Sequence, residues 1–406
     1  MLDIITNKFY LKLSYIFISL SFATVISDYP FFNTLNKVVL LWGLILVLIN
    51  LLELIIFRRR KIYFFEIFLY LFLALTLFLN LTQYKLNVNL KFWLVNFMLM
   101  TVIFSIDTYK SKVRLIKELN IISYFFTFMT FILSSISLVM IFINKTITID
   151  LGIKDGVPLV LVYKGLFKNE NSFGIAASLS ILIALYLFFT TRNKYIKIFL
   201  TINITIQTIS VFLSGGRSAY FPLLSLLFVF LLLKFKNIYI RLSIIFIPMA
   251  ISITSFFTLP ENILHKILTG REYLWMTAFR LLKSVPLAGV GNVNKAGRLK
   301  DLRMTYLQGL DFGGVHNIFL EISCINGIPA TILFTTFIIF IFIFFTKKLE
   351  SSSFEYKLKY GVLFALCIGI VLINLLESSL VYIISFISMI FWIYTGYLVA
   401  ILDKEN

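Results

Sequence analysis

The chain has 406 residues, of which 60% are hydrophobic and 14% charged, and it carries a formal net charge of +18. An ordinary soluble domain is about 45–50% apolar and about 25% charged, so this composition excludes a string of soluble domains. At about 20 apolar residues per membrane-spanning helix, roughly twelve spans account for most of the chain.

In hydrocarbon the backbone must satisfy its own polar groups, so each long apolar run predicts a helix. The runs begin near Leu11, Val38, Ile62, Leu90, Leu119, Ser172, Ile196, Ser218, Ile240, Ile322, Lys359 and Val381. The expected fold is all-α: a polytopic helical membrane protein, one integral membrane domain over residues 1–406, with about twelve transmembrane helices. The first run lacks a small-residue cleavage site and is expected to remain as a signal anchor. Val157–Phe167 is too short to span and carries Lys164, which predicts an interfacial or re-entrant segment. Pro248 falls in mid-span, where a kink is expected.

Charge orients the spans. With the N-terminus inside, 21 of the 37 basic residues fall in inner segments and only 4 in short outer loops. Both termini are therefore expected in the cytoplasm. The other 12 lie in two long outer segments, 144–171 and 258–320, and long loops escape the charge rule. The net charge divides into +12 inside and +6 outside, so most of it is orientation rather than nucleic-acid binding. Glu53 and Glu66 are expected to pair with the inner Arg58–Lys61 cluster. Glu377, at the outer end of the eleventh run, is a candidate functional carboxylate.

Several chemistries are excluded cheaply. Two histidines and two cysteines, with no CxxC, HExxH or Asp-x-Asp pattern, leave no ligand set for zinc or metal-dependent nucleotide-sugar chemistry. No Walker motif or GxGxxG occurs. Cys324 and Cys367 lie within apolar runs and are expected to be small packing residues.

Four outer constellations remain. In Lys168–Gly174, Asn171 or Ser172 could cap a helix, and the same geometry could present backbone N–H groups to an anion. In Ser214-Gly-Gly-Arg217-Ser, two glycines allow close approach to a ligand, and the guanidinium fork suits phosphate. The arginine could equally be an interfacial anchor. Arg271 to Ser284 predicts an amphipathic helix at the membrane surface. Arg271 and Arg280 are nine positions apart, about 180° around a regular helix, so they cannot face one pocket. Arg271 shares a side with Trp275 and Ala278 and is favoured for the site, leaving Arg280 as a headgroup contact. The fourth, Gly313-Gly-Val-His316-Asn317, places a histidine at a helix entrance, where it could accept a proton or orient a hydroxyl. Asn317 and Glu321 follow on one helix face.

Taken in order, Asn171 to Gly174, Ser214-Gly-Gly-Arg217-Ser, Gly270-Arg271-x-x-x-Trp275, Pro286-x-x-Gly289-x-Gly291 and His316-Asn317-x9-Gly327 resemble the O-antigen polymerase and O-antigen ligase superfamily. The motifs cover about half the chain, from the sixth to the tenth run; Ala330 departs from the small set usual three residues after the motif glycine in ligases. The resemblance implies a GT-C-like membrane glycosyltransferase, metal-independent and without cofactor, in the bacterial cytoplasmic membrane. Its implied substrates are polyprenyl-diphosphate-linked oligosaccharides, its surroundings membrane lipids, and its partners a flippase and a chain-length regulator. On that reading Arg217 and Arg271 clamp the diphosphate and His316 activates the attacking hydroxyl, with Asn171, Arg280, Asn317 and Glu321 binding substrate. The implied activity is polymerisation of repeat units into a capsular, exo- or O-antigen polysaccharide. The alternatives are ligation of finished glycan to another acceptor, which shares the motifs, and lipid-linked oligosaccharide flipping, which would want cations in mid-span.

Overall fold

A computed structural model describes residues 6–55, 61–143, 163–307, 310 and 314–405. Arg58 to Arg60, most of the first outer segment including 157–162, and Gly313 lie outside the described residues.

All twelve apolar runs are helical. They are α1 (Lys8–Phe22), α2 (Pro30–Ile55), α3 (Phe64–Leu79), α4 (Asn87–Met98), α5 (Lys112–Phe142), α6 (Glu170–Thr190), α7 (Lys194–Ser214), α8 (Phe221–Lys234) and α9 (Ile238–Thr258). The segment 258–320 then contributes α10 (Glu261–Leu268), α11 (Arg271–Ser284) and α12 (Asn292–Asp301). The chain re-enters through α13 (Ile318–Glu350), α14 (Phe354–Ile373) and α15 (Phe386–Leu402). Among the described residues, nine helices are long and apolar enough to cross a membrane. The other three runs give shorter helices: α1, α4 with its π-turn extension, and α15. The protein is thus an all-α, multi-pass membrane protein, and α11 has the limits that its sequence predicts.

Hydropathy does not say which spans face lipid, because lipid tails are as apolar as leucine. Burial does. Every residue of α15 is buried, whereas α9 has no buried residue and contains Pro248. Polar side chains at helix contacts join the spans around this core. Thr130 Oγ1 donates to Ser180 Oγ at 2.8 Å, Ser134 Oγ to Gln207 Oε1 at 2.8 Å, and Ser123 and Tyr394 share a 2.9 Å bond. Cys324 and Cys367 are buried, as packing residues should be.

At the end expected to face inward, three members of the Arg58–Lys61 cluster lie outside the described residues, so the expected pairing of Glu53 and Glu66 with them does too; the described contacts are the following. Lys8, on α1, reaches Glu53 at 2.9 Å and Asn50 Oδ1 at 2.6 Å. Glu66 caps its own helix, accepting from the Tyr63 N–H at 2.9 Å. Lys61, the described member of the basic cluster, pairs with Asp403 at 3.2 Å. Lys110 bonds Asp107 at 3.1 Å and Glu118 at 2.9 Å, and Arg114 reaches Glu118 at 3.1 Å. Lys12 donates to Ser105 Oγ at 2.8 Å.

Two sequence motifs interlock at a break in α13. Gly327 has φ +81° and ψ 170°, and Pro329 follows without an N–H to donate. The carbonyls freed just before the break accept from the loop between α11 and α12: Val290 N–H to Cys324 O at 2.9 Å and Gly291 N–H to Ile325 O at 3.0 Å. The Ile328 N–H returns to Pro286 O at 2.8 Å. A Cβ on Gly327 would lie 2.2 Å from Leu287 O, so only glycine admits the loop here.

Residues 163–167, the described part of the short segment after α5, are not helical. They run to Phe167, which forms an isolated antiparallel bridge to Thr24 at the end of α1. This bridge brings the chain to the start of α6.

Candidate active site

Four of the sequence candidates converge where α6, the α7–α8 turn, α11 and α13 meet the loop between α14 and α15. The N-cap of α6 is Asn169, whose Oδ1 accepts from the Ser172 N–H at 2.7 Å. Neither Asn171 nor Ser172 caps the helix, contrary to the sequence expectation. Asn171 is left free to point elsewhere. The α7–α8 turn packs against it: a Cβ on Gly216 would meet Asn171 Oδ1 at 3.1 Å and its Cα at 3.3 Å.

Arg217 leaves that turn exposed to solvent. Its Nη1 donates to Lys266 O at 2.7 Å and also to Ile267 O, at the C-terminal end of α10. Arg271 opens α11 after two left-handed residues, Thr269 (φ +55°) and Gly270 (φ +87°). It donates through Nη1 to Thr269 Oγ1 at 2.9 Å and through Nε to Leu376 O at 3.1 Å. The two guanidiniums therefore bind consecutive parts of one turn, residues 266–269. The partial negative charge of a helix C-terminus suits this arrangement.

Glu377 is the hub. Its Oε1 accepts from Arg271 Nη2 at 3.3 Å and from Asn171 Nδ2 at 3.3 Å. Its Oε2 lies 3.4 Å from His316 Nδ1. That last contact is within ion-pair distance, but its alignment does not make a hydrogen bond, and Nδ1 is buried without a hydrogen-bond partner. The signal in the sequence was a lone carboxylate at the outer end of an apolar span. Its three partners are 61, 106 and 206 positions away, so nothing local pointed to them.

The remaining candidates have other work. Asn317 is the N-cap of α13, accepting from the Phe319 and Leu320 N–H groups at 3.1 Å each. Its N–H donates to Ser378 Oγ at 3.1 Å and its Nδ2 to Leu375 O at 3.2 Å, tying the Glu377 loop to the base of His316. Glu321 is buried and paired with Lys295. Arg280 turns away, as the 180° argument requires, bonding Leu302 O at 3.4 Å and Met304 Sδ at 2.9 Å. The structure does not bring it to Glu377. Trp275, one turn after Arg271, faces inward and donates to Val315 O at 3.1 Å.

Chemically, the cluster offers two guanidiniums suited to an anion, and an imidazole beside a carboxylate suited to holding a proton. Among the described residues, no three His, Cys, Asp or Glu side chains are grouped as metal ligands.

Residues 202–335 match a family model described as O-antigen ligase. The match bears out the resemblance to the O-antigen ligase and polymerase superfamily. The matched segment runs from α7 past the break in α13 and contains Arg217, Arg271 and His316; Asn171 and Glu377 lie outside it. No curated protein matches the chain.

Proposed function

We propose that this membrane protein, whose matched segment carries Arg217, Arg271 and His316, is a polymerase. It would join oligosaccharide repeat units carried on polyprenyl diphosphate. The observation that carries the reading is the convergence of Arg271, His316 and Asn171 on Glu377, with Arg217 on the adjoining turn. An acceptor sugar hydroxyl attacks the anomeric carbon of the donor. The new C–O bond forms as the bond from that carbon to the diphosphate oxygen breaks, and polyprenyl diphosphate leaves with the electron pair. His316 takes the hydroxyl proton, and Glu377 stabilises the imidazolium that results. Arg217 and Arg271 stabilise the charge gathering on the leaving diphosphate, which is where such a reaction most needs help. A metal ion is not required for that task when two guanidiniums are present.

The reaction is assigned to the outer face of a bacterial cytoplasmic membrane, with both termini in the cytoplasm. The charge asymmetry supports this orientation. Reporter fusions after α1, α2 and α15 test it, and an outer location for the C-terminus overturns it. The product is a capsular, exo- or O-antigen polysaccharide.

The second reading, a ligase passing finished glycan to a lipid, protein or wall acceptor, is favoured by the description of the matching family model. Glycan ladders from a deletion strain separate the two. Loss of a polymerase leaves single repeat units, whereas loss of a ligase leaves polymer on its carrier. Normal polymer length with Arg217→Ala or His316→Ala at normal protein level would sink the polymerase reading, and normal transfer of that polymer off its carrier would sink the ligase reading as well.

A further inference from the structure

Val315, the residue that precedes His316, is held at both of its backbone polar groups. The Val315 N–H donates to Glu321 Oε2 at 2.9 Å, and the Val315 carbonyl accepts from Trp275 Nε1 at 3.1 Å. Glu321 is buried, and its second oxygen, Oε1, is bonded by the equally buried ammonium of Lys295. Lys295 and the Val315 N–H thus hold the two oxygens of one buried carboxylate, and the bond to Lys295 fixes where Glu321 presents the oxygen that meets Val315.

What this grip fixes is the backbone of His316. Its φ is +53°, a left-handed conformation that residues other than glycine adopt rarely and keep only where the surroundings over-determine it. In that conformation the imidazole faces Glu377. Lys295 is itself well placed to be a fixed point. It lies on α12, whose first turn is anchored by Val293 N–H to Asn89 Oδ1 at 2.9 Å, just after the Gly291 bond to the broken helix α13.

We propose that Lys295 is a positioning residue for His316. It acts through Glu321 and the Val315 backbone, with Trp275 as the opposing jaw, and turns the imidazole toward Glu377. The inference rests on the reading of His316 as the group that takes the acceptor's proton. It adds two residues, Lys295 and Trp275, that touch neither sugar nor diphosphate in that scheme.

The test uses the full-length protein with three substitutions: Lys295→Met, Lys295→Arg and Trp275→Phe. The chain has two histidines, so in a His265→Asn background the ring signals of ¹⁵N-labelled histidine report His316 alone. Lys295→Met is expected to shift or broaden those signals and to slow glycan chain growth in membranes about 10–100-fold. Lys295→Arg is expected to restore both. Trp275→Phe keeps the ring and the Lys295–Glu321 pair but loses the Nε1 donor, and is expected to move both readouts in the same direction by less. It also answers the question if Lys295→Met does not accumulate. Unchanged His316 signals, or changed signals with unchanged chain growth, overturn the proposal. Normal growth with His316→Ala would instead overturn the reaction scheme, and the ring signals would still report whether Lys295 positions the imidazole.

Discussion

The protein holds charge in two ways, and the contrast separates structure from chemistry. At the side proposed to be inner, Lys8, Lys12, Asp107, Lys110 and Glu118 are all buried, and each is bonded to a fixed partner. The Tyr397 hydroxyl, from the most buried helix, completes Glu118 at 2.8 Å. At the side proposed to be outer, Arg217 is exposed, His316 Nδ1 lacks a hydrogen bond, and several arginine donors rest on backbone carbonyls rather than carboxylates. One guanidinium, that of Arg271, and an imidazole share one carboxylate there, Glu377, while Arg217 has no carboxylate partner among the described residues. The inner cluster is closed and near neutral, as a scaffold should be. The outer one sets Arg217 and Arg271 against a single carboxylate, Glu377, and leaves Arg217 exposed.

Substitutions that treat the two regions alike break this contrast, and the largest effect belongs to the inner one. Burial alone would push the Asp107 carboxyl up, but the ammoniums of Lys8, Lys110 and Lys12 outweigh it and hold the group well below the usual carboxylate range. Its contribution to stability is present above the unfolded value of about 4 and is lost as pH falls below it. Asp107→Asn leaves those cations without their carboxylate and is expected to cost about 3–5 kcal/mol, read by thermal unfolding in detergent. Chain growth per folded molecule should not change.

Arg271→Ala reverses the pattern: growth about 10²–10³-fold slower, with a smaller loss of stability. If it unfolds the protein as readily as Asp107→Asn does, the outer cluster is a scaffold too. Glu377→Gln keeps the shape of the hub but loses its charge. A charge-assisted hydrogen bond is worth about 1.5–3 kcal/mol, so growth should slow roughly 10–100-fold. An unaltered rate would remove Glu377 from the chemistry. The smallest effect is expected from Arg280→Ala, within about 0.5 kcal/mol in stability and with polymer length unchanged. Shortened polymer would extend the site beyond the face that carries Arg271.

The sequence was most informative where the signal is local. Runs of apolar residues located twelve helices, nine of them long and apolar enough to span among the described residues, and nine positions of helix separated Arg271 from Arg280. It was least informative where a partner is distant. Asn169 takes the cap two positions before Asn171, a choice that composition does not reveal. Asn317 and Glu321 do share one helix face, but what they bond lies on the α14–α15 loop and on α12. The inner network joins Lys8 to Glu53 and Lys12 to Ser105, pairings set by how α1 lies in the bundle. Hydropathy, which sees every span as equally oily, contains no record of that.

The seam between the Pro286–Gly291 loop and the break in α13 bears on how such proteins can be remade. The long outer segment is an obvious unit to exchange between related chains when a different sugar is wanted. Here it is not a cassette: its backbone supplies donors to Cys324 and Ile325 inside a membrane helix, and the glycine that admits it is in that helix. A transplanted segment would arrive with its hydrogen bonds unanswered unless residues 324–329 travelled with it. Graft boundaries drawn inside α13, below Pro329, should give folded chimaeras where boundaries drawn at the membrane surface do not.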